Sequence, residues 1–191
     1  MEFLKLTDSR LVDLLTHGGV GVLPTDTVYG LVCSAANVDA VAKLYALKSR
    51  EKKPGTLIAA SADQVIDLGI QEDVVHAVEK FWPGVSVVMR ANEHLAYIHQ
   101  GLETLAVRVV ADENLKAFLK QTGSLLTSSA NLPGQPPANT VEEARVYFGD
   151  TVDFYVDGGD LSGRQSSTLI RMKDGVPEVL RQGSIFIKKD I

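Results

Sequence analysis

Hydrophobic residues along this chain recur with two alternating patterns, one helical and one strand-like. Segments such as 11–19 and 37–49 place apolar side chains three or four positions apart, as an amphipathic helix does. Segments such as 20–24 and 27–35 are instead short, apolar and rich in β-branched residues, which is typical of buried strands. Helical and strand-like segments alternate along the whole chain, and this order predicts an α/β domain.

Polar residues, glycine and proline mark where these elements begin and end. Asn37 stands at the expected N-cap of its helix, and "SADQ" (61–64) and "TVEE" (140–143) have the spacing of capping boxes. The predicted helices are 11–19, 37–49, one starting at 61–64, 72–82 (ended by Pro83), 113–123, and one starting at 140–143. The predicted strands are 20–24, 27–35, 55–60, 85–91, 104–111, 124–130, 152–157, 167–172 and 177–183.

Composition narrows the class of protein. The chain has 191 residues, of which 45% are hydrophobic and 23% charged, and it shows neither an internal repeat nor a linker-like segment. We therefore expect a single domain, 1–191. No apolar run reaches the roughly 18 residues that span a bilayer, and the start "MEFLKLTDSR" lacks the layout of a signal peptide. With Cys33 as the one cysteine, these features predict a cytoplasmic protein without membrane contact.

Cations are concentrated in one junction of an otherwise acidic chain. The net charge is −5, yet Lys48, Arg50, Lys52 and Lys53 fall within "LKSREKKPG", where a helix gives way to a strand. Once the chain is extended, alternate residues face the same way, so Lys48, Arg50 and Lys52 would project to one side. Ligands of open α/β sheets bind at such strand ends. A solvated loop that complements a helix C-terminus explains the same cluster, and both interpretations stay open.

Hydroxyl and amide side chains follow two other apolar strands. "TSSAN" (127–131) precedes a proline- and glycine-rich loop, and its side chains are suited either to binding phosphate or carboxylate oxygens or to forming a turn. A tight turn also accounts for Thr25, Asp26 and Thr27. Arg108 and Arg181 interrupt apolar strands, where a charge faces either a ligand or the solvent of an edge strand.

Several common kinds of site are missing from the sequence. The histidines show no metal-ligand spacing, so no metal site is predicted. There is no P-loop motif and no G-x-S-x-G, and Gly19 and Gly21 precede their strand instead of following it. The candidate site is thus rich in cations, hydroxyls and amides and poor in bases. This profile favours anion binding and stabilisation of developing negative charge over proton abstraction.

Seven segments, in this order, resemble the YrdC-like family, whose members make threonylcarbamoyl-adenylate for tRNA modification. They cover about residues 18 to 185 and read "GGVGVLPTDTVYGLVC", "AVAKLYALKSR", "FWPGVSVVM", "LAVRVV", "LLTSSANLPGQPP", "SSTLI" and "EVLRQGSI". The resemblance implies a twisted open mixed sheet with helices packed around it and a central cationic cavity. It also implies that threonylcarbamoyl-AMP and pyrophosphate form from L-threonine, bicarbonate and ATP.

The family's motifs assign roles to individual positions. The Lys-x-Arg and Ser-x-Asn motifs match Lys48, Arg50, Ser129 and Asn131, which the resemblance makes catalytic and ATP-binding. Further ATP contacts implied are Lys53 and Arg181, although Glu51 stands where many relatives have proline. Threonine contacts implied are Thr27, Arg108, Thr127 and Ser167, with Arg108 suited to the carboxylate. Mg²⁺ is expected to arrive with ATP, and no tightly bound organic cofactor is expected.

The resemblance implies a tRNA-modifying transferase complex as the receiver of the product. The acidic charge predicts no stable nucleic-acid binding by the chain itself. Two alternatives remain: a non-enzymatic module that binds nucleotide or RNA in the same cavity, and a carbamoyl-transferring relative that acts on another acceptor.

Overall fold

The computed structural model describes residues 2–49 and 53–187, so Arg50, Glu51 and Lys52 lie outside the described residues. One ten-stranded sheet runs through this part of the chain. Its strands are β1 (Phe3–Leu4), β2 (Gly21–Pro24), β3 (Tyr29–Ser34), β4 (Thr56–Ala59), β5 (Ser86–Arg90), β6 (Thr104–Val109), β7 (Leu125–Ser129), β8 (Phe154–Val156), β9 (Leu169–Lys173) and β10 (Val176–Arg181). The α-helices are α1 (Arg10–Thr16), α2 (Val38–Leu47), α3 (Ala62–Asp67), α4 (Glu72–His76), α5 (Ala96–His99), α6 (Glu113–Thr122) and α7 (Val141–Phe148).

The sheet is mixed and open, as predicted. Its order is β1-β8-β2-β3-β7-β4-β6-β5-β9-β10, which leaves β1 and β10 at the two edges. The pairs β1–β8, β2–β8, β4–β6 and β5–β9 are parallel, and the other neighbours are antiparallel. No helix within residues 2–49 and 53–187 is long and apolar enough to cross a membrane.

Both faces of the sheet are covered, as the unbroken apolar strands predicted. All six residues of β3 are buried. Tyr29, Leu31 and Cys33 point into one apolar cluster and Val32 into another, because successive side chains of a strand face opposite sides. The sheet therefore separates two cores, and polar groups at its strand ends meet at the rim of these cores.

Helix starts follow the capping residues that the sequence predicted. The side chain of Asn37 accepts a hydrogen bond from the Ala40 amide at 2.9 Å. The side chains of Ser61 and Thr140 accept from the amides three residues on, at 3.3 and 3.2 Å. The return contacts of these boxes reach one residue further back than the N-cap: Gln64 accepts from the Ala60 amide.

Three parts of the fold differ from the sequence-based prediction. The helix predicted over 72–82 is wrong, because α4 ends at His76 and a separate 3₁₀ turn covers Glu79–Phe81. Trp82 is extended, which is the conformation favoured before a proline such as Pro83. The pattern also missed β1 and α5, whose two and four residues are too short to show a period.

Candidate active site

A cavity of about 190 Å³ opens where several strand ends meet, and hydroxyl groups dominate its walls. We call it the hydroxyl cavity. Its lining residues are Thr25, Thr27, Val28, Tyr29, Gly30, Pro54, Gly55, Thr56, Ala106, Arg108, Thr127, Ser128, Ser129, Ser166, Ser167, Leu169 and Arg181. All four residues predicted to contact threonine are among them, together with two of those predicted to contact ATP. The structure thus brings together side chains that are up to 154 positions apart in the sequence (Thr27 and Arg181).

Strand register explains why these residues converge. Gly30 of β3 pairs with Ser129 of β7, and Thr127 of β7 pairs with Thr56 of β4. Thr56 in turn pairs with Ala106 of β6. The start of β3, the end of β7 and the start of β4 therefore lie side by side, at the same end of these three neighbouring strands.

Gly30 allows two side chains of the cavity wall to pack closely against the backbone. A Cβ atom at this position would lie 2.4 Å from Thr127 Oγ1, closer than real Cβ contacts, and 3.1 Å from Thr25 Cγ2, closer than most of them. Any larger residue would push one of these two threonine side chains out of place. The glycine therefore sets where the Thr25 and Thr127 side chains stand.

The turn between β2 and β3 places two threonines in the cavity wall. Thr25 Oγ1 donates to the Val28 carbonyl at 2.6 Å and lies 3.0 Å from Thr27 Oγ1. The turn predicted for this segment is therefore present. Both threonines are also buried and line the cavity, so the turn does more than reverse the chain.

Arg108 is buried in the middle of the sheet and forms an ion pair. It lies on β6 between β4 and β5 and is 3% exposed, so the edge-strand interpretation is wrong for this arginine. Its Nη2 donates to Asp26 Oδ1 at 2.8 Å, and both side chains are 4% exposed. Asp26 Oδ2 accepts from the Ala111 amide at 3.1 Å, so both carboxylate oxygens have donors. The turn interpretation of Asp26 is thus incomplete, since this residue neutralises a buried guanidinium.

A chain of hydrogen bonds runs from Arg108 to Arg181. Arg108 Nη1 donates to Ser86 Oγ at 3.3 Å, and Ser86 Oγ lies 2.8 Å from Ser167 Oγ. Arg181, on the edge strand β10, donates to the Ser167 carbonyl at 2.9 Å through Nη2. Both arginines predicted as ligand contacts are therefore oriented by one buried serine pair.

One side-chain atom of a cavity-lining arginine is buried without a hydrogen-bond partner. Among the described residues, the buried side-chain atoms of this kind are Trp82 Nε1, Arg108 Nε and Ser128 Oγ. Arg108 and Ser128 both line the hydroxyl cavity, but the Ser128 side chain lies on the opposite face of β7 from Thr127, because Ser128 pairs with Leu31 and Thr127 with Val32. Because buried polar groups are almost always paired, the unpartnered nitrogen of Arg108 is consistent with a cavity that takes a polar ligand.

A second, more open space adjoins the Ser-x-Asn segment, and we call it the lysine cleft. It has a volume of about 710 Å³. Its lining residues are Tyr45, Ala46, Lys48, Ser49, Lys53, Asn131, Pro133 and Gly134. Three residues predicted to contact ATP, namely Lys48, Lys53 and Asn131, thus lie in one cleft. Arg50, which was also predicted to contact ATP, lies outside the described residues.

Lys48 is buried and held by the loop that follows β7. Its Nζ donates to the Ser129 carbonyl at 2.8 Å, to the Asn131 carbonyl, and to Asn131 Oδ1 at 2.9 Å. These oxygens are neutral, so they orient the ammonium group without cancelling its charge. Lys48 also ends α2 as its C-cap residue, where a cation suits the helix dipole.

Asn131 uses the full hydrogen-bonding capacity of its amide. Its Oδ1 accepts from Lys48 and, at 2.6 Å, from Ser129 Oγ. Its Nδ2 donates to the carbonyls of Leu132 and Gln135 at 3.1 and 2.7 Å. The turn interpretation of "TSSAN" is therefore confirmed, and that turn carries the contacts of Lys48. Binding of phosphate or carboxylate oxygens by this segment stays a prediction.

Side chains from other elements hold the backbone in place where the cation cluster ends. The Lys53 amide donates to Gln100 Oε1 at 2.9 Å, and the Gly55 amide donates to the Tyr45 hydroxyl at 3.2 Å. Tyr45 itself donates to the Ile98 carbonyl. The side chains that bring Lys53 to the cleft thus come from elements that the sequence pattern either missed or treated as core.

Tyr29 is another site residue that the sequence analysis did not single out. It is fully buried, lines the hydroxyl cavity, accepts from the Gly158 amide and donates to the Gly159 carbonyl, both at 2.8 Å. Burial raises the pKa of its phenol above the ordinary value, so the group stays protonated. Tyr29, Asp26 and Ser86 all lie inside motif segments, but only their contacts in the fold separate them from core or turn residues.

Comparison with known proteins places the chain in a family. The family model of Sua5, YciO and YrdC, described as "Telomere recombination", matches residues 13–183. The chain belongs to the Sua5/YciO/YrdC family. The resemblance predicted from the sequence is confirmed.

Relatives of this family extend over most of the chain. A protein named threonylcarbamoyl-AMP synthase from Idiomarina loihiensis is 39% identical over 73% of this chain and 79% of its own length. A protein of the same name from Halorhodospira halophila is 37% identical over 82% of this chain and 85% of its own. Sua5 from P. abyssi, solved in complex with L-threonine, superposes with a TM-score of 0.80 at 27% identity and covers 91% of this chain. The chain spans 53% of that protein.

Proposed function

We propose that this chain is a threonylcarbamoyl-AMP synthase, which forms threonylcarbamoyl-AMP and pyrophosphate from L-threonine, bicarbonate and ATP. The names of the two relatives from Idiomarina and Halorhodospira support the activity. The structural observation that carries the proposal is the pairing of a small hydroxyl-lined cavity with a larger cleft that holds a buried lysine. Ser129 lines the cavity and Asn131 lines the cleft, and a 2.6 Å hydrogen bond joins their side chains. A small substrate in the cavity would therefore lie near a larger anion in the cleft.

The hydroxyl cavity suits an amino acid. Its volume of about 190 Å³ is below the roughly 300–1,000 Å³ of pockets for drug-sized ligands. Thr27, Thr127 and Ser167 offer hydroxyl groups that hydrogen-bond the amine and the side-chain hydroxyl of L-threonine. Arg108, which lines the cavity, supplies a guanidinium group for the carboxylate. The solved complex of the P. abyssi protein with L-threonine supports this choice of substrate.

The lysine cleft suits the phosphates of ATP. Lys48, Lys53 and Arg50 supply positive charge, and Asn131 holds the Lys48 ammonium in place. Groups of three or more metal-ligating side chains are absent from the described residues. Mg²⁺ enters with ATP as part of the substrate, held by phosphate oxygens and water as is usual for this ion.

The reaction needs positioning more than a protein base. The threonine nitrogen forms a bond to the carbon of bicarbonate, and water leaves. A carbamate oxygen then forms a bond to the α-phosphorus of ATP, and the bond from that phosphorus to the bridging oxygen of pyrophosphate breaks. Negative charge spreads over the phosphoryl oxygens, where the fixed ammonium of Lys48 and the guanidinium of Arg50 stabilise it. Arg181 and Ser167 close the site over the substrates.

The proposal includes a place for the product. Threonylcarbamoyl-AMP carries an activated carbamoyl group, and a tRNA-modifying transferase complex takes it up to make N6-threonylcarbamoyladenosine. Such a role implies a cytoplasmic protein, since ATP and tRNA meet there. With a net charge of −5, the chain leaves tRNA binding to that complex.

The test is turnover by the purified protein. We expect pyrophosphate release that requires L-threonine, bicarbonate and MgATP, together with the adenylate detected by mass. Lys48→Met and Arg50→Met should abolish release while circular dichroism stays unchanged, and Lys120→Met, an exposed lysine on α6, should keep it. Turnover confined to another amino acid would reject the substrate. RNA or nucleotide binding without pyrophosphate release would favour the non-enzymatic alternative.

A further inference from the structure

The buried ion pair beside the hydroxyl cavity has a function beyond stability. Asp26 and Arg108 lie 82 positions apart, and their contact is screened from water because both side chains are 4% exposed. Burying two charges is costly even when they are paired, and an apolar pair is often as stable. A role in the site therefore explains the pair better than a contribution to folding alone.

The contacts of Arg108 leave part of its guanidinium group without a partner. Nη2 donates to Asp26 Oδ1 and Nη1 to Ser86 Oγ, whereas Nε has no partner although it is buried. Asp26 is in turn fixed by the Ala111 amide, so the carboxylate cannot turn without losing a second hydrogen bond. The guanidinium plane is thus held at two corners, and its remaining N–H groups are fixed in direction.

Ser86, which is oriented by Arg108, in turn orients the hydroxyl group of Ser167. Ser86 is completely buried and accepts from Arg108, which can only donate. Its own proton needs an acceptor, and Ser167 Oγ is 2.8 Å away. Ser167 thereby receives a hydrogen bond, and its own proton becomes available to the cavity that Ser167 lines.

We propose that Asp26 and Ser86 are positioning residues that orient Arg108 and the Ser167 hydroxyl as a pair of donors for the carboxylate of the amino-acid substrate. The inference rests on the proposed function, because it specifies how the hydroxyl cavity recognises one end of its ligand. Asp26 also cancels the charge of Arg108, so recognition depends on the direction of these donors more than on net attraction. Neither positioning residue needs to touch the substrate.

The test compares two ligands that differ at this end only. Binding of L-threonine and of L-threoninol, in which a CH₂OH group replaces the carboxylate, is measured by calorimetry on the full chain. The wild type should prefer L-threonine by about 10- to 100-fold, as expected for charge-assisted hydrogen bonds. In Asp26→Ala this preference should fall to near unity, mainly because L-threonine binds more weakly while L-threoninol is little affected. A loss confined to folding would weaken both ligands equally.

Conservative and control variants complete the test. Asp26→Glu should recover part of the preference, and Ser86→Ala should reduce it less than Asp26→Ala does. Asp26→Asn serves if Asp26→Ala fails to fold, and it should also lose preference because an amide cannot accept at both oxygen positions. Ser124→Ala, which removes one hydroxyl contact away from the cavity, should change nothing. A wild-type preference in folded Asp26→Asn or Asp26→Ala would overturn the inference. Absence of L-threonine binding to the wild type would reject the proposed function itself, and the inference with it.

Discussion

Lys48 Nζ donates a 2.9 Å hydrogen bond to Asn131 Oδ1, across 83 positions of sequence. The same oxygen accepts from Ser129 Oγ, and the Asn131 amide nitrogen holds two carbonyls of its own loop. The two motifs predicted as catalytic are therefore one hydrogen-bonded unit, in which Asn131 orients the lysine. The Lys48 amine is held as a hydrogen-bond donor. This suits a group that stabilises the charge of a phosphate better than it suits a general base, which has to accept a proton.

Asn131→Ala should damage both stability and activity. The substitution leaves the Lys48 ammonium, the Ser129 hydroxyl and two loop carbonyls each one partner short. Leaving buried polar groups unpaired costs about 1–3 kcal/mol, so the free energy of unfolding should fall by about that amount. Pyrophosphate release should fall with it, because Lys48 loses one of the three described contacts that direct its ammonium group. Urea denaturation and the release assay measure the two effects.

The exposed Asn114 provides the matched control for that change. It lies in the first turn of α6, and Asn114→Ala should leave both measurements as in the wild type. Wild-type activity in Asn131→Ala would show that the Asn131 side chain is not needed to orient Lys48.

Gly30→Ala should be harmful, and Thr127→Ala should relieve the harm to folding. The added Cβ would lie 2.4 Å from Thr127 Oγ1, and overpacking a well-filled interior typically costs about 1–3 kcal/mol. In the double variant that oxygen is gone, so the free energy of unfolding should recover most of the loss. L-threonine binding should not recover, because a hydroxyl of the cavity wall is missing. A double-mutant cycle on thermal unfolding, with calorimetry for L-threonine, checks both parts. Purely additive losses of stability would contradict the proposed contact.

Elements with a periodic apolar pattern or a capping residue could be predicted from the sequence. Contacts between residues far apart in the sequence could not. Asn37 and Thr140 have signatures within four positions, and their caps are present as expected. The unbroken apolar run of β3 predicted a strand that is buried on both faces, and all six of its residues are buried. The short elements β1 and α5 carry no such run, since two or four residues complete no period.

The candidate site divides in the same way. Motif resemblance identified Thr27, Arg108, Thr127 and Ser167, which the fold places in one cavity, although their roles stay predictions. It gave no separate weight to Asp26, because a carboxylate in a turn looks the same whether it faces water or a guanidinium 82 positions away. Ser86 was likewise one small residue in an apolar strand. Partners like these become visible only when sheet order brings β5, β6 and the β2–β3 turn together.

Tyr29→Phe should loosen the segment that leads to Ser166 and Ser167. The Tyr29 hydroxyl accepts from the Gly158 amide and donates to the Gly159 carbonyl, and phenylalanine leaves both backbone groups unpaired. We expect a loss of about 1–3 kcal/mol in the free energy of unfolding. Hydrogen exchange should quicken around residues 158–159.

Tyr147→Phe is the control for this variant. It removes a single contact of an exposed hydroxyl to the Pro136 carbonyl and should cost less than Tyr29→Phe. Unchanged exchange at 158–159 in Tyr29→Phe would mean that other contacts hold the segment.

Cys33 should make the protein less stable as the pH rises above about 9. Burial raises the pKa of its thiol from 9.0 to about 12. Between these values the unfolded chain loses the thiol proton while the folded chain keeps it. Because the unfolded state then binds fewer protons, the free energy of unfolding falls with increasing pH. Burial raises the pKa of Tyr29, Tyr97 and Tyr155 as well, which adds the same trend at higher pH.

Comparing urea unfolding of the wild type and Cys33→Ala from pH 8 to 10 isolates the thiol, and the free energy of unfolding of the wild type should show the steeper decline. The folded wild type should also resist a thiol reagent at pH 8, since the thiolate is the reactive form. Rapid labelling without unfolding would show that Cys33 is accessible and that its pKa is not raised.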